Sequence, residues 1–305
     1  MQRLFKSFEK ILRPGFGQME THAPRIHRMN KLPNIARQNE KALPKISIVI
    51  PSFNQGKFIE QTLKSVIDQS YPNLELILVD GGSTDNTLDI IKKYEKYFTW
   101  WVSEPDTGQT AAINKGFEKS SGEIMAWLNS DDLMISGVLR LVADYFANNP
   151  DVQVVYGNRI LINEDGLEVG RWTLPNHSDR VLKWIDFVPQ ETLYWSREAW
   201  NRTGSKLDEK FQFAMDWDFL LRLSAIKIKM HHLPLFLGMF RIHRHQKTSS
   251  QMSTVGQKEI QLIRYRELGF YPKRWQVHFR TLPYLLLAKL QDLGLTFNTE
   301  RIGNA

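Results

Sequence analysis

The chain has 305 residues, 42% hydrophobic and 24% charged, with no cysteine and a formal net charge of +7. These values suit one large globular domain or two modest ones. They exclude general disorder, collagen, a polytopic membrane protein, disulfides and thiolate chemistry. The charge is uneven: ten Lys/Arg against three Asp/Glu in 1–45, eight against four in 256–305, and 22 against 26 between them. A basic nucleic-acid binder puts its positive field on the folded core. Here the core is acidic and the ends basic, so nucleic acid is not an expected partner.

Leu4, Phe5, Phe8, Ile11 and Leu12 fall at helical spacing among Arg3, Lys6, Lys10 and Arg13. They predict a short basic amphipathic helix stopped by Pro14 and Gly15, suited either to a membrane interface or to packing on its own domain. Residues 15–44, with Pro24, Pro33 and Pro44, read as a linker or surface arm. Order begins at Lys45. Ile46–Ile50 is a β-branched run ending at Pro51, and Leu74–Val79 a second strand ending in Asp80. Between them 55–70 is helical in period, and after Gly81-Gly82 a helix capped by Ser83, Thr84 or Asp85 runs to about Tyr97. A short strand at 99–102, a helix over 109–120, a strand at 123–128 and a helix at 136–148 continue the alternation. That rhythm predicts a doubly wound, mainly parallel sheet with helices on both faces.

After Asp151 the pattern changes. Val152–Tyr156 and Arg159–Asn163 read as paired strands with 167–172 as hairpin partner, followed by short helices at 178–186 and 196–202 and a firmer one at 216–226. Strands at 228–233 and 236–242 extend the same sheet. The segment 251–305 is basic, helical and rich in aromatics, a mix suited to an anionic lipid surface or to a packed interface.

Ligands of open parallel sheets bind beyond the carboxyl ends of the strands. Those ends collect Asp80, Asp106, Asp131 and Asp132 on one rim, a cluster that a cation or sugar hydroxyls would compensate. Gly-x-x-x-x-Gly-Lys-Ser/Thr and a post-strand Gly-x-Gly-x-x-Gly are both missing, so P-loop and dinucleotide readings lose their support. Phosphates would then be held through a divalent metal, and oxygen ligands without cysteine favour Mg²⁺ or Mn²⁺.

Ile48–Asn54, Val79–Thr87 and Asn129-Ser130-Asp131-Asp132 together resemble the family 2 glycosyltransferases of GT-A fold. Asp106-Thr107-Gly108 through Asn114 and Lys115, and Met215-Asp216-Trp217-Asp218 with Arg222, are similar to two further blocks of that family. The motifs keep the family's order from about 46 to 245. The resemblance implies a GT-A sheet over 45–250, with 45–150 as nucleotide-binding half and 151–250 as acceptor-binding half, between the basic arm 1–44 and the helical 251–305. It implies metal-dependent inverting transfer from a nucleotide-sugar donor to a saccharide or lipid-linked acceptor, in surface-polysaccharide synthesis. The expected setting is cytoplasmic, with peripheral contact at an anionic membrane.

Residue by residue, the resemblance implies that Pro51, Ser52 and Phe53 line a nucleobase pocket. Asp80, Asp106, Asn114 and Lys115 would complete the nucleoside site. Asp132 would be the direct metal ligand, with Asp131 on the ribose or the metal's water shell and His243 joining metal or diphosphate. Asp216 would be the general base. Asn129 and Met215 depart from the family, where Asp and Glu are common at those places. Other assignments are plainer: Asp218 and Arg222 as an i,i+4 pair, Asp85 as a cap, and most tryptophans as core, with Trp217 the best candidate for sugar stacking. Gln190-Glu191 after Pro189 reads as an acceptor loop. A sugar-phosphate nucleotidyltransferase lacks its Gly-rich basic signature after the first strand, and a non-catalytic binding scaffold is disfavoured by the intact Asp131, Asp132 and Asp216.

Overall fold

A computed structural model describes residues 22–27, 32–33, 43–244, 246 and 252–302. The predicted helix at 1–14 lies outside the described residues. β1 (Ile46–Ser52), buried along its whole length, pairs in parallel with β2 (Leu74–Asp80) and β4 (Ile124–Trp127), and β3 (Trp100–Ser103) adds to β2. Apolar β-branched strands of this kind need helices on both faces, and α1 (Ile59–Ile67), α2 (Thr87–Lys93), α3 (Gln109–Glu118) and α4 (Val138–Asn148) connect them. The register sets Ser52 beside Asp80, and Asp80 beside Ser103, so the strand ends finish on one rim.

Two helices are shorter than the sequence predicts. α1 starts only at Ile59, because Asn54 takes a left-handed backbone (φ 52°) and its Oδ1 accepts the Thr84 N–H at 2.9 Å. The helix expected to reach Tyr97 ends at Lys93 and tightens into a 3₁₀ turn over Glu95–Tyr97.

The second half departs further. Val152–Tyr156 and Arg159–Asn163 are not paired strands but one strand, β6 (Val154–Ile162). Gly157 reads as a turn in sequence, yet it marks a register shift against β9 (Met230–Arg241). A Cβ there would stand 2.5 Å from Leu237 Cγ and 2.6 Å from the Leu235 oxygen, so only glycine lets the two strands approach. β7 (Glu168–Trp172) pairs with β6 as expected, and the two predicted late strands are likewise one, β9, despite Pro234. The full sheet runs β3-β2-β1-β4-β8-β6-β9-β5, where β8 is Tyr194–Ser196 and β5 is Leu133–Met134. α5 (Asp179–Leu182), α6 (Arg197–Arg202) and α7 (Met215–Ala225) flank it.

Two outlying segments lean on this body. Residues 22–27 lie along β7, with Arg25 bridging Glu168, whose buried carboxylate also takes Arg171. α8 (Gln257–Leu268) buries Ile263, and α9 (Arg274–Ile302) buries Tyr284 against Phe187 with ring centroids 4.7 Å apart.

Candidate active site

A cavity of about 1070 Å³ opens at the rim of the parallel strands and runs beneath the second half of the sheet. Pro51, Ser52, Phe53, Asp106, Asp131 and Asp216 all line it, though they come from four places in the chain. Phe53 is exposed at its edge, and the buried Ser52 hydroxyl has no hydrogen-bond partner among the described residues. Asp106 accepts the Gly108 N–H at 2.8 Å. Gly108, at φ 123°, makes the turn into α3 that brings Gln109 to the wall.

The other expected site residues stand off the wall. Asp80 is fully buried and accepts from the Ser83 N–H at 2.9 Å and the Ser103 hydroxyl at 2.6 Å, so it braces the Gly81 turn behind the cavity. Asn114 ties α3 to the 207–209 loop through Leu207 and Glu209, and Lys115 pairs with Glu104 at the surface. Both make protein contacts and lie off the cavity wall.

Asp132, expected as the direct metal ligand, also lies off the wall. It is 1% exposed, and its carboxylate accepts the Arg241 backbone N–H at 2.9 Å and the Asn129 amide at 3.2 Å. Burial, with the Asp131 and Glu191 charges, pushes its pKa well above the ordinary Asp range. That carboxyl anchors β9 inside the protein and lies off the cavity wall. Asp131 instead faces the cavity, and the Nε2 of His243 lies 2.8 Å from its Oδ2. β5 pairs antiparallel with the end of β9, which is what brings residues 112 positions apart together.

Asp216 stands in the first turn of α7, on the cavity wall, with Oδ1 accepting the Trp217 N–H at 2.9 Å. The backbone just before it is clamped from outside: Glu259 of α8 accepts the N–H groups of Gln212, Phe213 and Ala214, each at 2.8 Å. Asp218 forms the expected pair with Arg222 at 2.9 Å and is also held by Arg266 of α8. Trp217 is not a stacking surface; it is 1% exposed, with its indole N–H on the Leu182 carbonyl at 2.8 Å.

Sequence reasoning missed Asp186, which faces solvent inside the cavity near Asp216. Protein around it, and then the Asp216 charge, push its pKa well above the ordinary range. Arg159 was missed as well. No motif marks these two, since Asp186 sits in an irregular loop and Arg159 on a strand that reads as two in sequence.

Residues 47–226 match the family described as Glycosyl transferase family 2, which is more than half of the chain, and the chain belongs to that family. Its relatives include a hyaluronan synthase of Pasteurella multocida, 29% identical over 218 residues, covering 70% of this chain and 22% of that protein. An uncharacterized glycosyltransferase of Nostoc is 29% identical over 226 residues, 70% of each chain. The chain thus spans about a fifth of the length of the synthase but most of the Nostoc protein. Among solved structures, S. aureus TarS 1–349 in complex with UDP-GlcNAc aligns with a TM-score of 0.59 at 19% identity over 76% of this chain and 69% of that one. The mannosyltransferase PcManGT of Pyrobaculum calidifontis, in complex with GDP-Man and Mn²⁺, aligns at 0.56 and 16% identity over 94% and 75%. The fold is of GT-A type, a curled, mainly parallel mixed sheet wrapped by helices.

Proposed function

We propose that the protein is an inverting glycosyltransferase that moves a sugar from a nucleotide-sugar donor to a hydroxyl of a saccharide or lipid-linked acceptor. The observation that carries this is one cavity lined by Ser52 and Phe53, by Asp131 with the buried His243 against it, and by Asp216. Family membership favours it over a nucleotidyltransferase or a non-catalytic scaffold.

Asp131 and His243 would hold a divalent ion. A carboxylate oxygen and an imidazole nitrogen 2.8 Å apart fit Mn²⁺ or Mg²⁺, ions that complete their shells with phosphate oxygens and water. Among the described residues no group of three or more acidic, His or Cys side chains could hold a metal. When bound, such an ion offsets the charge on the departing diphosphate.

The chain's own residues do the rest. Phe53 offers a face to the base, and Ser52 offers an unsatisfied hydroxyl. Asp80, Asn114 and Lys115 act behind the wall by fixing the rim. Asp216 accepts the proton from the acceptor hydroxyl as it attacks the anomeric carbon opposite the leaving group. Donor and base are thereby set on opposite sides of one sugar.

The acceptor and setting belong to the same proposal. Tyr271, Trp275, Phe279, Leu287 and Leu290 are exposed along α9 and the turn before it, Trp275 by 65% and Phe279 by 71%. Lys273, Arg274, Arg280 and Lys289 lie among them. No helix of the described residues is long and apolar enough to cross a membrane. Such a face suits peripheral contact with an anionic bilayer, on the cytoplasmic side where a lipid-linked acceptor would be met.

The test is a thermal-shift screen of UDP- and GDP-linked sugars with Mn²⁺ or Mg²⁺. A donor that binds the folded state raises the melting temperature by mass action. No shift with any nucleotide or nucleotide sugar would contradict the reading.

A further inference from the structure

One corner of the cavity wall is not used by the transfer chemistry. Arg159 of β6 donates in parallel from Nε and Nη2 to the two oxygens of Glu191, at 2.8 and 2.5 Å. Its guanidinium carbon lies 4.9 Å from the centroid of the Trp172 ring and 4.6 Å from that of Phe240. The Glu191 side chain is fully buried, and Gly238 makes that possible: a Cβ there would stand 2.7 Å from Glu191 Cγ. Next to it, Gln190 donates from Nε2 to the Trp127 carbonyl at 2.8 Å, which fixes the amide.

Two groups are left over. Arg159 Nη1 has no protein partner among the described residues, and the buried Gln190 Oε1 has no donor. Both residues line the cavity. The Arg159 charge is felt by Asp132, next to the Asp131–His243 pair, and by Asp186, near Asp216. The corner therefore lies in the same cavity, within electrostatic reach of both ends of the proposed site.

We propose that Arg159, Glu191 and Gln190 form a subsite that reads hydroxyl groups of the transferred sugar and selects a neutral hexose over a hexuronic acid. This rests on the nucleotide-sugar reading above. The two sugars differ only at C6, so the subsite faces that end of the ring. A C6 hydroxyl both donates and accepts and, with its C4 neighbour, satisfies Nη1 and Oε1 together, whereas a C6 carboxylate only accepts and leaves Oε1 without a donor. Charge points the same way. Glu191 already offsets Arg159, and Asp216 adds negative charge close by, so an acidic sugar would enter against an uncompensated carboxylate. The guanidinium sandwiched between two rings cannot swing out to follow a different ligand.

Calorimetry with Mn²⁺ and five probes tests this: UDP, UDP-glucose, UDP-glucuronic acid, GDP and GDP-mannose. The wild type should bind a hexose-linked nucleotide at least about tenfold more tightly than the hexuronate. Arg159→Met combined with Glu191→Met removes both partners, so neither charge is left buried alone. It should keep the affinity for the free nucleotide and lose the preference. If that variant does not fold, Gln190→Leu leaves the ion pair intact and should lower hexose-linked affinity by about fivefold with the free nucleotide unchanged. Equal binding of glucose and glucuronic acid forms, or variants that retain the preference, would overturn the subsite while leaving the transferase reading in place. A wild type that binds neither UDP nor GDP would instead overturn the donor reading, and the subsite with it.

Discussion

Asp131 and Asp132 are neighbours in sequence and differ sharply in surroundings. Asp132→Ala leaves the Arg241 N–H and the Asn129 amide without an acceptor, which costs about 1–3 kcal/mol. Urea denaturation should show that loss for Asp132→Ala and a smaller one for Asp131→Ala. Donor binding should lose its Mn²⁺ dependence only in the Asp131 variant; the reverse order would contradict the assignment. Asp186 gives a pH signature. Its folded pKa is raised, so the folded protein holds the proton more tightly than the unfolded chain. The stability this adds is complete below the ordinary Asp value of about 3.9 and is lost as pH rises through the folded value. Asp186→Asn removes that loss, so the variant should gain stability relative to wild type as pH climbs from about 4 towards neutrality. A difference that stays flat with pH would count against a raised Asp186 pKa. A two-letter motif shows that acids are present, but not which of two adjacent acids turns inward; strand pairing decides that.

The helices and strands were legible where they were local. β1, β2 and β4 announced themselves as apolar runs, and α7 by its period. β6 did not, because Gly157 looks like a turn until β9 lies against it, and β8 is three residues long. The clamp on α7 was equally hidden, since Glu259 lies 43 residues beyond Asp216 on a helix that reads as polar surface. Its three hydrogen bonds set the backbone just before Asp216, the proposed base. Glu259→Ala should lower kcat at least about tenfold with donor affinity unchanged, while Glu259→Gln, which keeps one acceptor oxygen, should recover part of the rate. Equal rates for wild type and Glu259→Ala would show that α8 merely packs there.

At the scale of the whole molecule, α8 and α9 join two surfaces. Met252, Val255, Ile260 and Arg264 wall the cavity, while Trp275 and Phe279 project outward among basic residues. Flotation with vesicles containing phosphatidylglycerol should carry the full chain, and Trp275→Ser with Phe279→Ser should release it; binding that ignores both the variant and the lipid charge would remove the membrane from the account. The most direct test of the transfer mechanism is Asp216→Asn, assayed for donor binding and for turnover on one preparation with Mn²⁺. The account predicts donor affinity within about twofold of wild type and turnover reduced by about 10²–10⁴-fold. Turnover near that of the wild type would contradict it.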